Sequence, residues 1–118
     1  MLMLPPSVNI FMATEPTDMR NAIDGLAAKV RRAGGDPFDG HLYVFVSKRR
    51  DRIKVLAWSR GGFVLWYKRL EKGRFRLPPV AVGQTTMPLD AGQLAMLLDG
   101  LDFSRLKRPA VWEPRRSA

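Results

Sequence analysis

Residues 41–70, HLYVFVSKRRDRIKVLAWSRGGFVLWYKRL, decide the fold. Three runs rich in β-branched and aromatic side chains, 41–46, 52–58 and 63–70, are separated by two polar stretches, SKRRD (47–51) and SRGG (59–62). Such side chains suit a pleated, half-buried surface, and both connections have hairpin length, so an antiparallel β-meander is expected. Alternation in the third run puts Phe63, Leu65 and Tyr67 on one face and Val64, Trp66 and Lys68 on the other. Apolar groups on both faces imply a sheet covered on each side by a helix.

Working outward, residues 8–13 alternate as a strand, with Val8, Ile10 and Met12 on one face. Pro16 and Thr17 announce a helix, Thr17 as its N-cap and Asp18 in its first turn, at the positive end of the helix dipole. Met19, Ile23, Leu26, Ala27 and Val30 form its apolar stripe. Arg31 and Arg32 suit its C-terminal end, and Gly34 or Gly35 supplies the left-handed stop. DPFDG (36–40) is a turn by composition. After the meander, residues 74–77 read as a short fourth strand ending at Pro78-Pro79. Residues 80–87 fit either an irregular crossing or another edge strand. Asp90 with Gln93 resembles a capping box opening a second helix, with Leu94, Leu97, Leu98 and Leu101 buried and Gly100 at its end. The expectation is an α+β fold: an antiparallel β-meander of about four to five strands with two helices packed on it. Residues 1–101 form a single compact domain, and 102–118 a basic, proline-containing tail.

Charge is the informative quantity. The 118 residues carry a formal net charge of +9, with fourteen arginines and six lysines. A field of that sign attracts polyanions, and the arginine fork suits phosphate oxygens and guanine edges. The charge is concentrated: residues 48–76 hold eleven basic residues against Asp51 and Glu71, so the remainder of the chain is neutral. Codon bias would spread arginine evenly. The candidate nucleic-acid contacts are Lys48, Arg49, Arg50, Arg52, Lys54, Arg60, Lys68, Arg69, Arg74 and Arg76, with Lys72 counted in the same segment. Lys48-Arg49-Arg50 sits on a hairpin tip and cannot be core. Trp58, Trp66 and Tyr67, among the interleaved aromatics, are candidates for base stacking or a protein interface. The plainer reading gives Phe63 and Phe75 to the core and leaves Trp58 and Trp66 undecided.

Catalysis is not expected. The absence of cysteine removes disulfides, thiolate nucleophiles and cysteine-based zinc sites. His41, the one histidine, follows a turn at the start of a strand and reads as a surface or edge residue. Asp18, Asp24, Asp36, Asp39 and Asp51 are the carboxylates from which a metal set would be drawn. Two-metal chemistry needs convergence on ions about 3.5–4 Å apart; Asp18 has a helix-start role, and Asp36 and Asp39 have turn roles. Gly34-Gly35 and Gly61-Gly62 lack the spacing of phosphate loops. No metal or cofactor is expected. The N-terminal MLMLPPSVNIFMA lacks a basic leader and is interrupted by Pro5-Pro6, so neither a signal peptide nor a membrane span is expected, and the location expected is cytoplasmic.

Several segments, in order, resemble one family. PTDMR (16–20) and IDGLA (23–27) are followed by DPFDG (36–40), LYVF (42–45), RDRIKVL (50–56) and GFVLWYKRLE (62–71). Gly73, Phe75, Pro78, Gln93-Leu94 and LLDG (97–100) complete the series. Together they resemble the TnpB accessory proteins of the insertion sequence 66 family, also described as second-open-reading-frame-like proteins and unrelated to the RNA-guided nuclease of the same name. Two departures are visible: the family usually has glycine near Ala22, and an acidic residue where this chain has Ser59. The resemblance implies a non-catalytic accessory protein encoded beside a larger transposase. It implies no catalytic residues, and it assigns Tyr67-Lys68-Arg69-Leu70 and Arg50-Asp51-Arg52 to the family's core signature. Two functional expectations stay open. One is binding to DNA, at element ends or target, through the basic meander; the other is a protein-interaction module for the transposase without DNA contact. RNA is a third partner class, and no membrane partner is expected.

Overall fold

The computed structural model describes residues 7–99. The expected tail, and the helix-end positions Gly100 and Leu101, lie outside them. The described chain is a five-stranded sheet with a helix on each face. Its elements in order are β1 (Ile10–Ala13), α1 (Ile23–Arg32), β2 (Leu42–Val46), β3 (Arg52–Ser59), β4 (Gly62–Arg69), β5 (Thr86–Leu89) and α2 (Ala91–Leu98). The spatial order is β4-β3-β2-β1-β5. Strands β2, β3 and β4 form the antiparallel meander, Tyr43 facing Leu56 and Leu56 facing Leu65. β1 lies parallel to β2, with α1 as the connection between them, and β5 closes the other side of β1 antiparallel. The α+β architecture with two helices is as expected; the parallel β1–β2 pair is the feature that local pattern did not announce.

Both faces of the central strands are buried. One layer gathers Ile10, Met12, Val44, Val46, Ile53 and Val55 under Leu94 and Leu97 of α2. The other gathers Tyr43, Phe45 and Leu56 under Leu26, Ala27 and Val30 of α1. β2 is consequently buried at every position, the pattern of a strand covered on both sides.

Helix α1 starts later than the sequence pattern indicates. Thr17 is not its N-cap: it is buried, and its N–H donates to the Val46 carbonyl at 2.9 Å. The Asp18 carboxylate instead accepts from the Arg20 backbone N–H and guanidinium, folding residues 18–21 into a turn. Local side-chain bonds of this kind compete with helix. The helix begins at Ile23 after an Ala22 that offers no side-chain cap. Its end is as read: Gly34 has φ +87°, and the Gly35 N–H returns to the Val30 carbonyl.

Two other boundaries differ. Residues 74–77 are not a strand, because Phe75 is drawn into the core and its N–H donates to Arg50 outside any ladder. The fifth strand lies at 86–89 and contains Pro88, tolerated on an edge where no N–H is needed. The capping box of α2 is present: the Asp90 carboxylate accepts from the Gln93 N–H, and the Gln93 side chain accepts from the Asp90 N–H.

Candidate nucleic-acid interface

The β2–β3 turn is built by small polar groups so that its cations face out. The Ser47 N–H donates to the Arg52 carbonyl at 3.0 Å, and the Arg52 N–H returns to Ser47 Oγ at 3.1 Å. Ser47 Oγ donates to Asp51, and the Arg50 N–H closes on the Ser47 carbonyl. Lys48, Arg49 and Arg50 stay exposed. Arg50 adopts φ +60°, a left-handed conformation that costs a non-glycine residue about 1–2 kcal/mol.

A second basic segment is fastened beside the first. The Leu70 N–H donates to the Asp51 carbonyl at 2.7 Å, and the Phe75 N–H donates to the Arg50 carbonyl at 2.6 Å. Phe75 is 1% exposed and anchors the connection after β4 in the core. Arg74 and Arg76, its neighbours on either side, point outward, as does Lys72. Residues about twenty-five positions apart are thus brought edge to edge. Lys48, Arg49, Arg50, Arg52, Arg69, Lys72, Arg74 and Arg76 share one end of the sheet.

The strand register adds an unfavourable pair. Arg52 stands directly opposite Arg69. The Leu70–Asp51 bond makes the neighbouring position a non-hydrogen-bonded one, where opposed side chains come closest. Like charges so placed repel. Arg69 is partly relieved by Glu71, at 3.0 Å. Among the described residues, no ion pair forms for Arg52, Lys72, Arg74, Arg76 or the three tip cations.

Three of the expected contacts are spent or placed elsewhere. The Lys54 ammonium donates to the Met19 and Asn21 carbonyls at 2.9 and 2.8 Å and lies over the Tyr67 ring, holding the β1–α1 connection. The Lys68 ammonium donates to the Leu98 carbonyl at the end of α2. Arg60 occupies the β3–β4 hairpin, at φ +47°, at the far end of β3 and roughly 25 Å away at strand rise. Trp66 packs partly buried under α2. Trp58 joins Phe38 and Phe63 in a three-ring cluster with centroids 5.0–5.3 Å apart, and the Arg31 guanidinium lies over Phe38. Tyr67 is 48% exposed.

Of the residues weighed for chemistry, His41, Asp18, Asp36, Asp39 and Asp51 have structural work. His41 Nδ1 accepts the Asn9 N–H. Asp36 and Asp39 accept the Phe38 and His41 N–H groups in their turn, and the Tyr43 hydroxyl donates to Asp39. Burial, then that carboxylate, pushes the Tyr43 hydroxyl far above its ordinary value. The hydrogen bonds from the Arg20 guanidinium and N–H hold Asp18 down at about 2. Among the described residues, no three His, Asp or Glu side chains converge on a point that could hold a metal ion. A cleft of about 380 Å³ between α1 and the β1–β5 side has an apolar floor of Phe11, Ala13, Val30, Tyr43 and Phe45, and Glu15 is the only carboxylate among the described residues that line it. No described helix is long and apolar enough to cross a membrane.

Comparison with known proteins supplies the setting. Residues 8–108 match the family described as IS66 Orf2 like protein. The chain belongs to that family. Two relatives from Sinorhizobium fredii (strain NBRC 101917 / NGR234) align over nearly their whole length. "Uncharacterized protein y4jC" is 39% identical, across 98% of this chain and 100% of its own. "Uncharacterized protein y4hO" is 36% identical, across 97% and 98%. No solved structure matches. As a member of the IS66 Orf2 like family, the chain has an accessory role in transposition.

Within this IS66 Orf2 like fold, Lys72, outside the expected contact set, joins the basic end. The signal for it was the buried Phe75: an aromatic anchor flanked by cations turns those cations outward together. The internal roles of Lys54 and Lys68 have no such signal, because their acceptors are backbone carbonyls thirty or more residues away.

Proposed function

We propose that this IS66 Orf2 like protein binds DNA, at element ends or target, through the basic end formed by residues 48–52 and 69–76. The observation that supports this most is the pinning of two cationic segments side by side by the Phe75–Arg50 and Leu70–Asp51 bonds. A fold that holds Arg52 against Arg69 gains when a polyanion neutralises the end. The contact is to phosphates, so it is salt-dependent and tolerant of sequence. Lys48, Arg49, Arg50, Arg52, Arg69, Lys72, Arg74 and Arg76 carry it; Lys54 and Lys68 position the elements that present it.

The test is binding to duplex DNA across a salt series. Changing Lys48, Arg49 and Arg50 together to alanine weakens binding on all sequences and flattens the log–log slope by roughly two to three units. Absence of binding at ~50 mM salt, where the electrostatic contribution is strongest, overturns the proposal. Competition with single-stranded RNA separates the two nucleic acids.

A second reading, docking to the transposase without DNA contact, draws on the Phe38–Trp58–Phe63 cluster at the other end of the sheet. Phe38 is 48% exposed there and Arg31 and Arg60 lie nearby in the fold, the residue types of interface anchors. A co-expressed complex that survives nuclease and high salt, and is lost in Trp58→Ala, favours this reading. No complex removes it.

A further inference from the structure

We propose that β4 is a self-pairing edge, through which two copies of this chain join their sheets into one continuous ten-stranded sheet with an antiparallel β4–β4 seam. The two sheet edges are unlike. β5 is four residues long and carries Pro88, which denies an incoming strand a donor. β4 is eight residues long, has no proline, and among the described residues pairs only with β3. Its centre, Phe63 to Tyr67, has no charge. Lys68, the cation best placed to guard it, is turned aside to the Leu98 carbonyl. Val64 and Tyr67, on opposite faces of this strand, are 46% and 48% exposed. Long apolar edges of this kind are ordinarily paired or blocked.

The register fixes which backbone groups are free. The Leu70–Asp51 bond and the Gly62–Ser59 pair at the hairpin set the parity, so even-numbered residues of β4 bond to β3. Phe63, Leu65, Tyr67 and Arg69 therefore direct their N–H and C=O groups outward. A second β4 running antiparallel about a twofold axis at Trp66 uses all four. Phe63 then faces Arg69, Leu65 faces Tyr67, Val64 faces Lys68, and Trp66 faces its own counterpart. Each pair lies on a common face of the sheet, since the partners share parity. The Trp66 pair is of the non-hydrogen-bonded kind, where side chains approach most closely. Arg69 meets an aromatic ring, and no cation within the strand opposes another. This self-complementarity commits the edge to a second copy of the chain.

The proposal is independent of the DNA reading and is tested without DNA, by sedimentation of the full chain over a concentration series. The wild type sediments as a dimer at micromolar concentration. Tyr67→Pro removes an outward N–H that β3 does not use; it gives a monomer whose circular dichroism and melting stay close to wild type. Val64→Lys places a lysine against Lys68 of the second copy and raises the dissociation constant roughly tenfold or more, whereas Val64→Glu does not raise it. The Val64 pair decides the matter should Tyr67→Pro fail to fold. A wild type that stays monomeric overturns the proposal. So does a folded Tyr67→Pro that dimerises normally, or a Val64→Glu that dissociates as Val64→Lys does.

Discussion

Lys54 and Arg50 lie close together in the sequence and do opposite kinds of work. Lys54 places an ammonium on two backbone carbonyls, so Lys54→Met leaves both unsatisfied. The expected loss is about 1.5–3 kcal/mol in urea unfolding, with no change in the salt slope of DNA binding. Arg50 is strained at φ +60°, and glycine accepts that conformation freely. Arg50→Gly raises stability by about 0.5–1 kcal/mol while weakening DNA binding, a pairing to be read from melts and titrations of the same preparation. Tyr43 supplies a pH signature. Its folded pKa is raised, so the stability it gives is complete below its unfolded pKa of about 10 and is lost as pH rises through and above that value. Tyr43→Phe, which cannot ionise, flattens the alkaline fall in melting temperature, at a cost of about 1–2 kcal/mol at neutral pH for the bond to Asp39.

At the scale of elements, the segment after β4 is an irregular loop that behaves as part of the sheet because one ring is buried. Phe75→Ala removes that ring and is expected to cost about 3–5 kcal/mol. It also frees Lys72, Arg74 and Arg76 from their place beside the turn, so DNA affinity falls under conditions where the variant is still folded. Guanidinium melts and a titration on one sample check both. The same loop shows where sequence reading reaches its limit. The meander, the stop at Gly34 and the capping box at Asp90 were legible because each is a local pattern of period or spacing. Residues 74–77 look like a strand locally, and a long-range bond to Arg50 decides otherwise. Thr17 looks like a cap, but Asp18 and Arg20 bond to each other first. The basic surface was legible as charge density, yet not as geometry: that Arg60 stands apart and Lys54 turns inward depends on register and on distant carbonyls.

For the molecule as a whole, the two ends of the sheet have different chemistry, cations at one and an aromatic cluster at the other. Eight cations bound the electrostatic footprint: the salt slope on duplex DNA is no steeper than about −7 if only this end makes contact. A steeper slope, measured by titration over salt, brings in cations outside it, those of residues 102–118 first. The position of β1 has a consequence in time. Met12 sits between Val44 and Met87, so β1 is flanked by partners that both come later in the chain, one of them more than seventy residues on. Pairings of such separation carry a large loop-closure cost before they are rewarded, and folds rich in them acquire structure in milliseconds to seconds, not microseconds. The sheet is completed only when its last strand arrives, and a growing chain holds β1 with an open side until Thr86–Leu89 has been made.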